Sequence, residues 1–151
     1  MRRSKSMGQH PTNLDSTSFG NLSRAVLMSL VRSKGNKTTE VRMANLLRAS
    51  GITGWRRHHK LAGNPDFVWR KERVALFVDG CFWHGHDCGR NLTPRINAEL
   101  WEKKITATRR RDSANSRAMR EHGWTVVRIW ECQLRRKPEV CLRRIRSALK
   151  L

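Results

Sequence analysis

The sequence predicts an α/β domain in which helices pack on a mixed central sheet. Two short apolar runs flank a charged turn, which is typical of a β-hairpin. A later run of β-branched and aromatic residues predicts a further strand, and helical periodicity occurs before, between and after these strands. The order helix, hairpin, helix, strand, helix gives an α/β sandwich with a mixed sheet.

The first elements follow from local composition. Residues 1–22 are rich in Ser, Gly, Asn and Arg and lack periodicity, which indicates a basic flexible arm before one domain of residues 23–151. An amphipathic helix is predicted at residues 38–50. Thr38 can cap its start, and Gly51 ends it.

The remaining elements complete the sandwich. Residues 66–69 and 74–79 form the predicted hairpin. A long and very basic helix is expected at residues 97–122, followed by a strand at residues 124–130. Residues 138–150 form a closing helix, because proline suits the first turn of a helix.

Charge and composition indicate the class of partner. The 151 residues contain 32 Lys and Arg against 12 Asp and Glu, a formal charge of +20. Such an excess repels itself unless a polyanion offsets it, so nucleic acid is the leading partner and an anionic membrane surface the alternative. No run approaches the ~18 apolar residues of a membrane span, and the N-terminus does not resemble a secretion signal. The four cysteines therefore favour metal ligation in a cytoplasmic protein over disulfides.

A zinc site is predicted just after the second hairpin strand. Cys81, His86 and Cys88 have the spacing C-x4-H-x-C, and Cys132 follows the later strand. Three thiolates and one imidazole would complete a tetrahedral structural zinc site. His84 could replace His86 in this set.

Two carboxylates point to a second metal. Asp66 and Asp79 lie on the two hairpin strands, and pairing across the turn would place them on one sheet face, opposite each other or diagonally displaced. Converging carboxylates would repel without a divalent cation, and oxygen ligands suit magnesium. With Glu40 on the upstream helix, they form the skeleton of the PD-(D/E)XK nuclease fold. The lysine usual in that fold is replaced by Cys81, so His84 is the nearby candidate for proton transfer.

With these motifs, the chain resembles the very short patch repair (Vsr) endonucleases, a branch of the PD-(D/E)XK superfamily. The resemblance covers residues 22–150. It is strongest in the segments Phe-Val-Asp-Gly-Cys-Phe-Trp-His-Gly-His at residues 77–86 and Gly-Trp-Thr-Val-Val-Arg-Ile-Trp-Glu-Cys at residues 123–132. It implies a restriction-endonuclease-like three-layer sandwich and a bacterial DNA repair enzyme. The implied reaction is magnesium-dependent hydrolysis of one phosphodiester, a nick, beside a T:G mismatch.

The resemblance also implies roles for individual residues. Asp66 and Asp79 would hold Mg²⁺, and His84 would transfer a proton. Glu40 and Asp112 would order water at the metal. The implied zinc ligands are Cys81, His86, Cys88 and Cys132.

Aromatic and cationic residues are expected to contact DNA. The resemblance implies an aromatic wedge at the mismatch, formed by Phe82, Trp83 and Trp101, with Met28 approaching from the minor groove. Trp101 and Asp112 are about three helical turns apart and therefore share one helix face. The remaining candidates are phosphate contacts: Lys103, Lys104, Arg109, Arg110 and Arg111.

The expected protein is therefore a monomeric, zinc-stabilised endonuclease that acts on double-stranded DNA of the bacterial nucleoid. Two alternatives remain open from the sequence. One is a restriction-like or defence nickase without mismatch preference, and the other is a zinc-stabilised DNA-binding module without catalysis.

Overall fold

The computed structural model describes residues 37–89 and 95–151, so the predicted arm at residues 1–22 and Met28 lie outside the described residues. A π-helical turn, Lys37–Val41, leads directly into helix α1, Arg42–Ala49. The helix predicted at residues 38–50 is confirmed. Because the helical backbone already begins at Lys37, Thr38 lies within the first turn and does not cap it.

Four strands form one sheet in the order β1, β2, β3, β4. Their ranges are Arg56–Arg57, Phe67–Trp69, Val74–Asp79 and Thr125–Trp130. The pairs β1–β2 and β2–β3 are antiparallel, whereas β3 and β4 run parallel. The sheet is therefore mixed, as predicted. The two-residue strand β1 was not expected from the sequence because its Arg-Arg composition carries no strand pattern.

Three further helices complete the described part of the chain. Helix α2, Ala98–Glu121, connects β3 to its parallel neighbour β4. A short helix α3, Glu131–Arg136, follows β4 directly, and α4, Pro138–Leu149, closes the fold with proline in its first turn. The long basic helix and the closing helix agree with the prediction. Helix α3 was missed because its six residues are too few to show periodicity.

Apolar side chains pack on both faces of the sheet. Leu76 and Ile129 belong to a large cluster that includes side chains of α1, α3 and α4. Ala75 and Phe77 point to the other face, where Met119 of α2 packs against them. This arrangement follows from the alternation of side chains along each strand. The carboxyl ends of β3 and β4, at Asp79 and Trp130, therefore lie between the helices on the two faces.

No helix within the described residues combines the length and apolar character that crossing a bilayer requires.

Candidate active site and metal centre

The site is built at the carboxyl ends of the parallel strands β3 and β4. Their register pairs Asp79 with Trp130. Cys81 and Cys132 each lie two residues beyond this pair, so parallel pairing brings two thiols that are distant in sequence to the same edge. The chain then turns at residues 81–85, and the backbone N–H of His86 donates a hydrogen bond to the carbonyl of Cys81 at 2.9 Å.

A cluster of potential metal ligands lies at this edge. One ligand atom from each of Cys81, His86, Cys88 and Cys132 lies within 4.8 Å of all the others. The imidazole of His86 stacks on the indole of Trp130 with ring centroids 4.2 Å apart, which orients its Nδ1 toward the Cys132 sulfur at 3.5 Å. Burial and the neighbouring thiols raise the pKa of Cys132 to about 11. A soft divalent cation would reverse that preference, because it binds the thiolate form.

The cluster contains the four residues that the sequence assigned to a metal, and His84 lies elsewhere. Within the described residues all four cysteines are free thiols. Cys141 lies on α4 and is buried in the large apolar cluster. The arrangement therefore favours His86 over His84 as the fourth ligand.

His84 lies between two carboxylates. Its Nδ1 is 2.5 Å from Asp112 Oδ2 on helix α2, and its Nε2 is 3.6 Å from Asp79 Oδ1 at the end of β3. Since Asp112 contacts Nδ1, it favours the tautomer that carries its proton there. Nε2 is then the nitrogen that can exchange a proton with a substrate or with water.

Arg128, which was not among the residues predicted from the sequence, links the two carboxylates. Its Nη1 donates to Asp79 Oδ2 at 2.7 Å and lies 3.6 Å from Asp112 Oδ2. Its guanidinium also lies over the ring of Phe77, its partner across the parallel ladder. Burial raises the pKa of Asp79, whereas His84 and Arg128 oppose that rise. Arg128 could have been identified because it is the one charged residue in a largely apolar strand. An arginine that is largely buried requires an anionic partner.

Asp66 precedes β2 and lies beside the end of β3. The ladder pairs Phe67 with Leu76, so Asp66 falls opposite Phe77, diagonally displaced from Asp79 on one sheet face. The diagonal alternative of the sequence prediction is therefore the one observed. The backbone N–H of Val78 donates to Asp66 Oδ2 at 2.7 Å. Burial, aided by the charges of Glu40 and Asp79, raises the pKa of Asp66 to about 7 against the opposing effect of the hydrogen bond from Val78.

Glu40 is buried in the π-helical turn, where it forms an ion pair with Arg57 of β1. Arg57 pairs with Phe67 across the sheet and thus lies next to Asp66. The predicted helical acid is therefore near the site, but its partner was missed, since adjacent arginines in a basic chain carry no distinguishing signal.

The predicted wedge aromatics form one cluster. The ring centroid of Phe82 lies 5.1 Å from that of Trp83 and 5.3 Å from that of Trp101. Phe82 and Trp101 are only 8% and 4% exposed, whereas Trp83 is 37% exposed. Phe82 is therefore buried although it lies on the loop, because Trp101 of α2 covers it.

Helix α2 presents two different faces. Trp101 and Asp112 lie on the side turned toward the sheet and the loop, as their spacing predicts. The predicted phosphate contacts are exposed instead: Lys103, Lys104, Arg109, Arg110 and Arg111. Trp101 and Asp112 therefore share one helix face, but it is not the exposed basic face of α2. Lys104 connects the two faces, since its Nζ lies 5.1 Å from the Trp101 ring centroid.

The loop and α2 pack closely at Gly85. Its φ is +60°, and a Cβ at this position would lie 2.4 Å from Cγ2 of Ile105. Glycine is therefore required both by the backbone conformation and by the approach of the helix. This contact holds His84 against the helix that carries Asp112.

The chain is similar in sequence to known DNA endonucleases. A family model described as DNA mismatch endonuclease Vsr matches residues 16–90. The chain is 42% identical over 112 residues to the type II nicking enzyme V.XorIIP of Xanthomonas oryzae pv. oryzae, covering 74% of this chain and 81% of that protein. It is 32% identical over 127 residues to the type II nicking enzyme V.NmeAIP of Neisseria meningitidis, covering 84% and 89%. It is 38% identical over 96 residues to the DNA mismatch endonuclease Vsr of Escherichia coli, covering 64% and 62%.

Proposed function

Because the chain belongs to the Vsr family, we propose that it is a metal-dependent DNA endonuclease that hydrolyses one phosphodiester and so nicks one strand. The observation that carries this proposal is His84, which contacts Asp112 through Nδ1 and faces Asp79 through Nε2 at the edge where Asp66 also lies. Helices on both faces of a mixed sheet support a restriction-endonuclease-like three-layer sandwich.

Asp66 and Asp79 are the residues that would hold Mg²⁺. Their carboxylates supply hard oxygen ligands from adjacent strand ends, and their buried charges are unfavourable without a cation. When bound, Mg²⁺ polarises the scissile phosphate and favours ionisation of the attacking water. Glu40 and Asp112 would orient water around this position.

The chain itself supplies the proton transfer. Asp112 holds the imidazole of His84 in one orientation and one tautomer, so Nε2 can exchange a proton during hydrolysis. Arg128 holds Asp79 and Asp112 in place around that imidazole. In the reaction, water forms a new P–O bond while one P–O ester bond breaks. The attacking water loses a proton and the leaving oxygen gains one to become a hydroxyl, and Nε2 of His84 is the group that can transfer such a proton.

The second metal in this proposal is a structural Zn²⁺ held by the cysteine and histidine cluster. Its donor set of three thiolates and one imidazole suits tetrahedral zinc and has no position left for a substrate. Such an ion would join the loop after β3 to the start of α3, where Cys132 lies. The aromatic cluster and His84 would thereby be held on one rigid loop.

We assign the aromatic cluster to mismatch recognition. Trp83 is the exposed member, and Phe82 and Trp101 support it from behind. Insertion of an aromatic ring costs a few kcal/mol of base unstacking, and this cost is smallest at a mismatch. A mismatch is the proposed substrate because one relative bears the name of a mismatch endonuclease, and the family resemblance implies that the mismatch is T:G.

Two relatives named as type II nicking enzymes favour a second candidate, a nickase associated with restriction and without mismatch preference.

The acids and the predicted zinc ligands all come from one chain, which supports action as a monomer. A cytoplasmic enzyme acting on nucleoid DNA fits free thiols and a charge of +20. The non-catalytic module is disfavoured by the two carboxylates placed on either side of His84.

Nicking of supercoiled plasmid with and without Mg²⁺ tests the endonuclease activity, with Asp66→Ala as the inactive control. We expect conversion to the open circle only with the unmodified protein and the metal. Cleavage rates on matched and T:G duplexes of the same sequence then separate the two candidates. Equal rates would favour the restriction-associated nickase, and absence of any nicking would overturn the enzymatic proposal.

A further inference from the structure

A cavity beside His84, Asp112 and Arg128 extends along helix α2 to residues that have no role in the site described above. It measures about 300 Å³ and lies between helix α2 and strand β4. Its lining includes Arg109, Ser113, Ser116 and Arg120 of α2 together with Arg128 of β4. A water molecule occupies roughly 30 Å³ in the liquid, so the cavity has room for a hydrated ionic group.

The helix places these side chains in one row. Ser113, Ser116 and Arg120 follow Arg109 at spacings of four, three and four residues, which is the spacing of neighbours on one helix face. Arg109, Ser113 and Arg120 are exposed, whereas Ser116 is buried. The row therefore places buried Ser116 at the floor of the cavity, with exposed residues on either side of it.

The lining is strongly cationic. It contains three arginines and a single carboxylate, Asp112, whose Oδ2 already contacts His84 and lies near Arg128. Within residues 37–89 and 95–151, no carboxylate forms an ion pair with Arg109 or Arg120. One carboxylate cannot offset three guanidinium groups, so these groups repel each other unless an anion binds in the cavity.

Arg128 joins the cavity to the catalytic acids. Its Nη1 is used by Asp79, and its Nε donates to Ser116 Oγ at 3.3 Å. Its Nη2 makes no hydrogen bond within the described residues, so two N–H donors remain for a ligand. Arginine is well suited to phosphate, because its planar donors match the geometry of the phosphate oxygens.

We propose that this cavity is a phosphate subsite, in which Arg109, Arg120 and Nη2 of Arg128 bind a DNA backbone phosphate next to the scissile one. This inference rests on the proposed endonuclease function and adds where the cleaved strand is held. His84 lines the same cavity, so a phosphate bound there would place its neighbour within reach of the imidazole. The bound group is either an internal phosphodiester or the terminal phosphate produced by the nick.

Duplexes with one neutral methylphosphonate at successive positions around the nick test this subsite. Binding is measured in magnesium-free buffer for the unmodified protein and for Arg120→Ala. We expect one position at which the neutral linkage weakens the unmodified protein several-fold but leaves the affinity of Arg120→Ala unchanged. The variant should also lower the slope of log K against log salt by about 0.9, the value for one phosphate contact.

The matched control is Lys71→Ala, which removes one exposed charge from the hairpin turn at the opposite end of β3 from Asp79. It should respond to every methylphosphonate as the unmodified protein does. Binding to a pre-nicked duplex with and without its terminal phosphate distinguishes an internal phosphodiester from a terminal phosphate. Affinity should depend on the terminal phosphate only if the cavity binds that group.

Equal methylphosphonate effects in Arg120→Ala and in the unmodified protein at every position would overturn the subsite, even if plasmid nicking is normal. Circular dichroism of Arg120→Ala ensures that a loss of binding does not reflect unfolding. Failure of the unmodified protein to nick DNA would instead refute the endonuclease function, a result that the binding measurements alone cannot produce.

Discussion

At the residue scale, Asp66 is an acid whose ionisation the fold opposes. Burial raises its pKa from 3.8 to about 7, with contributions from Glu40 and Asp79. Between these two values the folded protein retains a proton that the unfolded chain has released. The free energy of unfolding therefore falls as the pH rises through this range in the absence of a cation.

Asp66→Asn should remove this pH dependence. At pH 8 in magnesium-free buffer we expect the variant to be more stable than the unmodified protein by up to about 4 kcal/mol, and the difference should vanish toward pH 4. Urea unfolding at a series of pH values measures it, with Glu72→Gln in the exposed hairpin turn as the control. The same variant should lose nicking activity. An identical pH dependence in both proteins would contradict the assignment.

The two histidines of the loop should respond differently to substitution. His84→Ala should lower nicking by roughly 10²–10⁴-fold, the usual contribution of a general acid or base, with metal content unchanged. His86→Ala should lower zinc content and stability together, because His86 lies in the cysteine cluster. Elemental analysis beside the nicking assay provides both readouts. Loss of zinc in His84→Ala would mean that the roles are exchanged.

At the scale of elements, a zinc ion bound by the cysteine and histidine cluster would crosslink the loop after β3 to α3. Cys88→Ser and Cys132→Ser should each reduce zinc content and melting temperature in parallel, since the free energy of metal binding contributes to folding. Cys141→Ser is the matched control, because Cys141 is buried in α4 outside the cluster. Cys141→Ser should lower the melting temperature but leave the zinc content unchanged. Folded protein purified without zinc would refute the structural metal site.

The aromatic cluster links this loop to α2, and Trp83 is its exposed member. Stacking of an aromatic side chain on a base is worth roughly 1–3 kcal/mol. Trp83→Ala should therefore lower cleavage of a T:G duplex far more than it lowers non-specific binding, with little change in stability. Parallel loss on matched and mismatched duplexes would instead identify Trp83 as a general contact.

At the scale of the whole molecule, the charge of +20 governs association with DNA. Each phosphate neutralised by Lys or Arg releases counterions, which gives a slope of about −0.9 per contact in a plot of log K against log salt. The exposed cations of α2 should therefore produce a steep decline in affinity between low and physiological salt. Fluorescence anisotropy with a labelled duplex measures this slope. A nearly flat response would exclude the basic surface as the DNA contact.

Local signals in the sequence determined much of the protein. Two apolar runs around a charged turn defined the hairpin. The predicted ends of α2 and α4 agree with the structure to within one residue, and the first predicted helix corresponds to the π-helical turn together with α1. The short spacing of Cys81, His86 and Cys88 was sufficient to predict a metal cluster. These features depend on neighbours along the chain, so periodicity and spacing contain the required information.

The tertiary structure decided which distant groups meet. Parallel pairing of β3 with β4 brings Arg128 to Asp79 and Cys132 to Cys81, and the packing of α2 brings Asp112 to His84. The same packing buries Trp101, although its helix is basic and largely exposed. No spacing along the chain encodes these contacts. They arise because the crossover helix must cover one face of the sheet, and its register on that face is set by side-chain packing over its whole length.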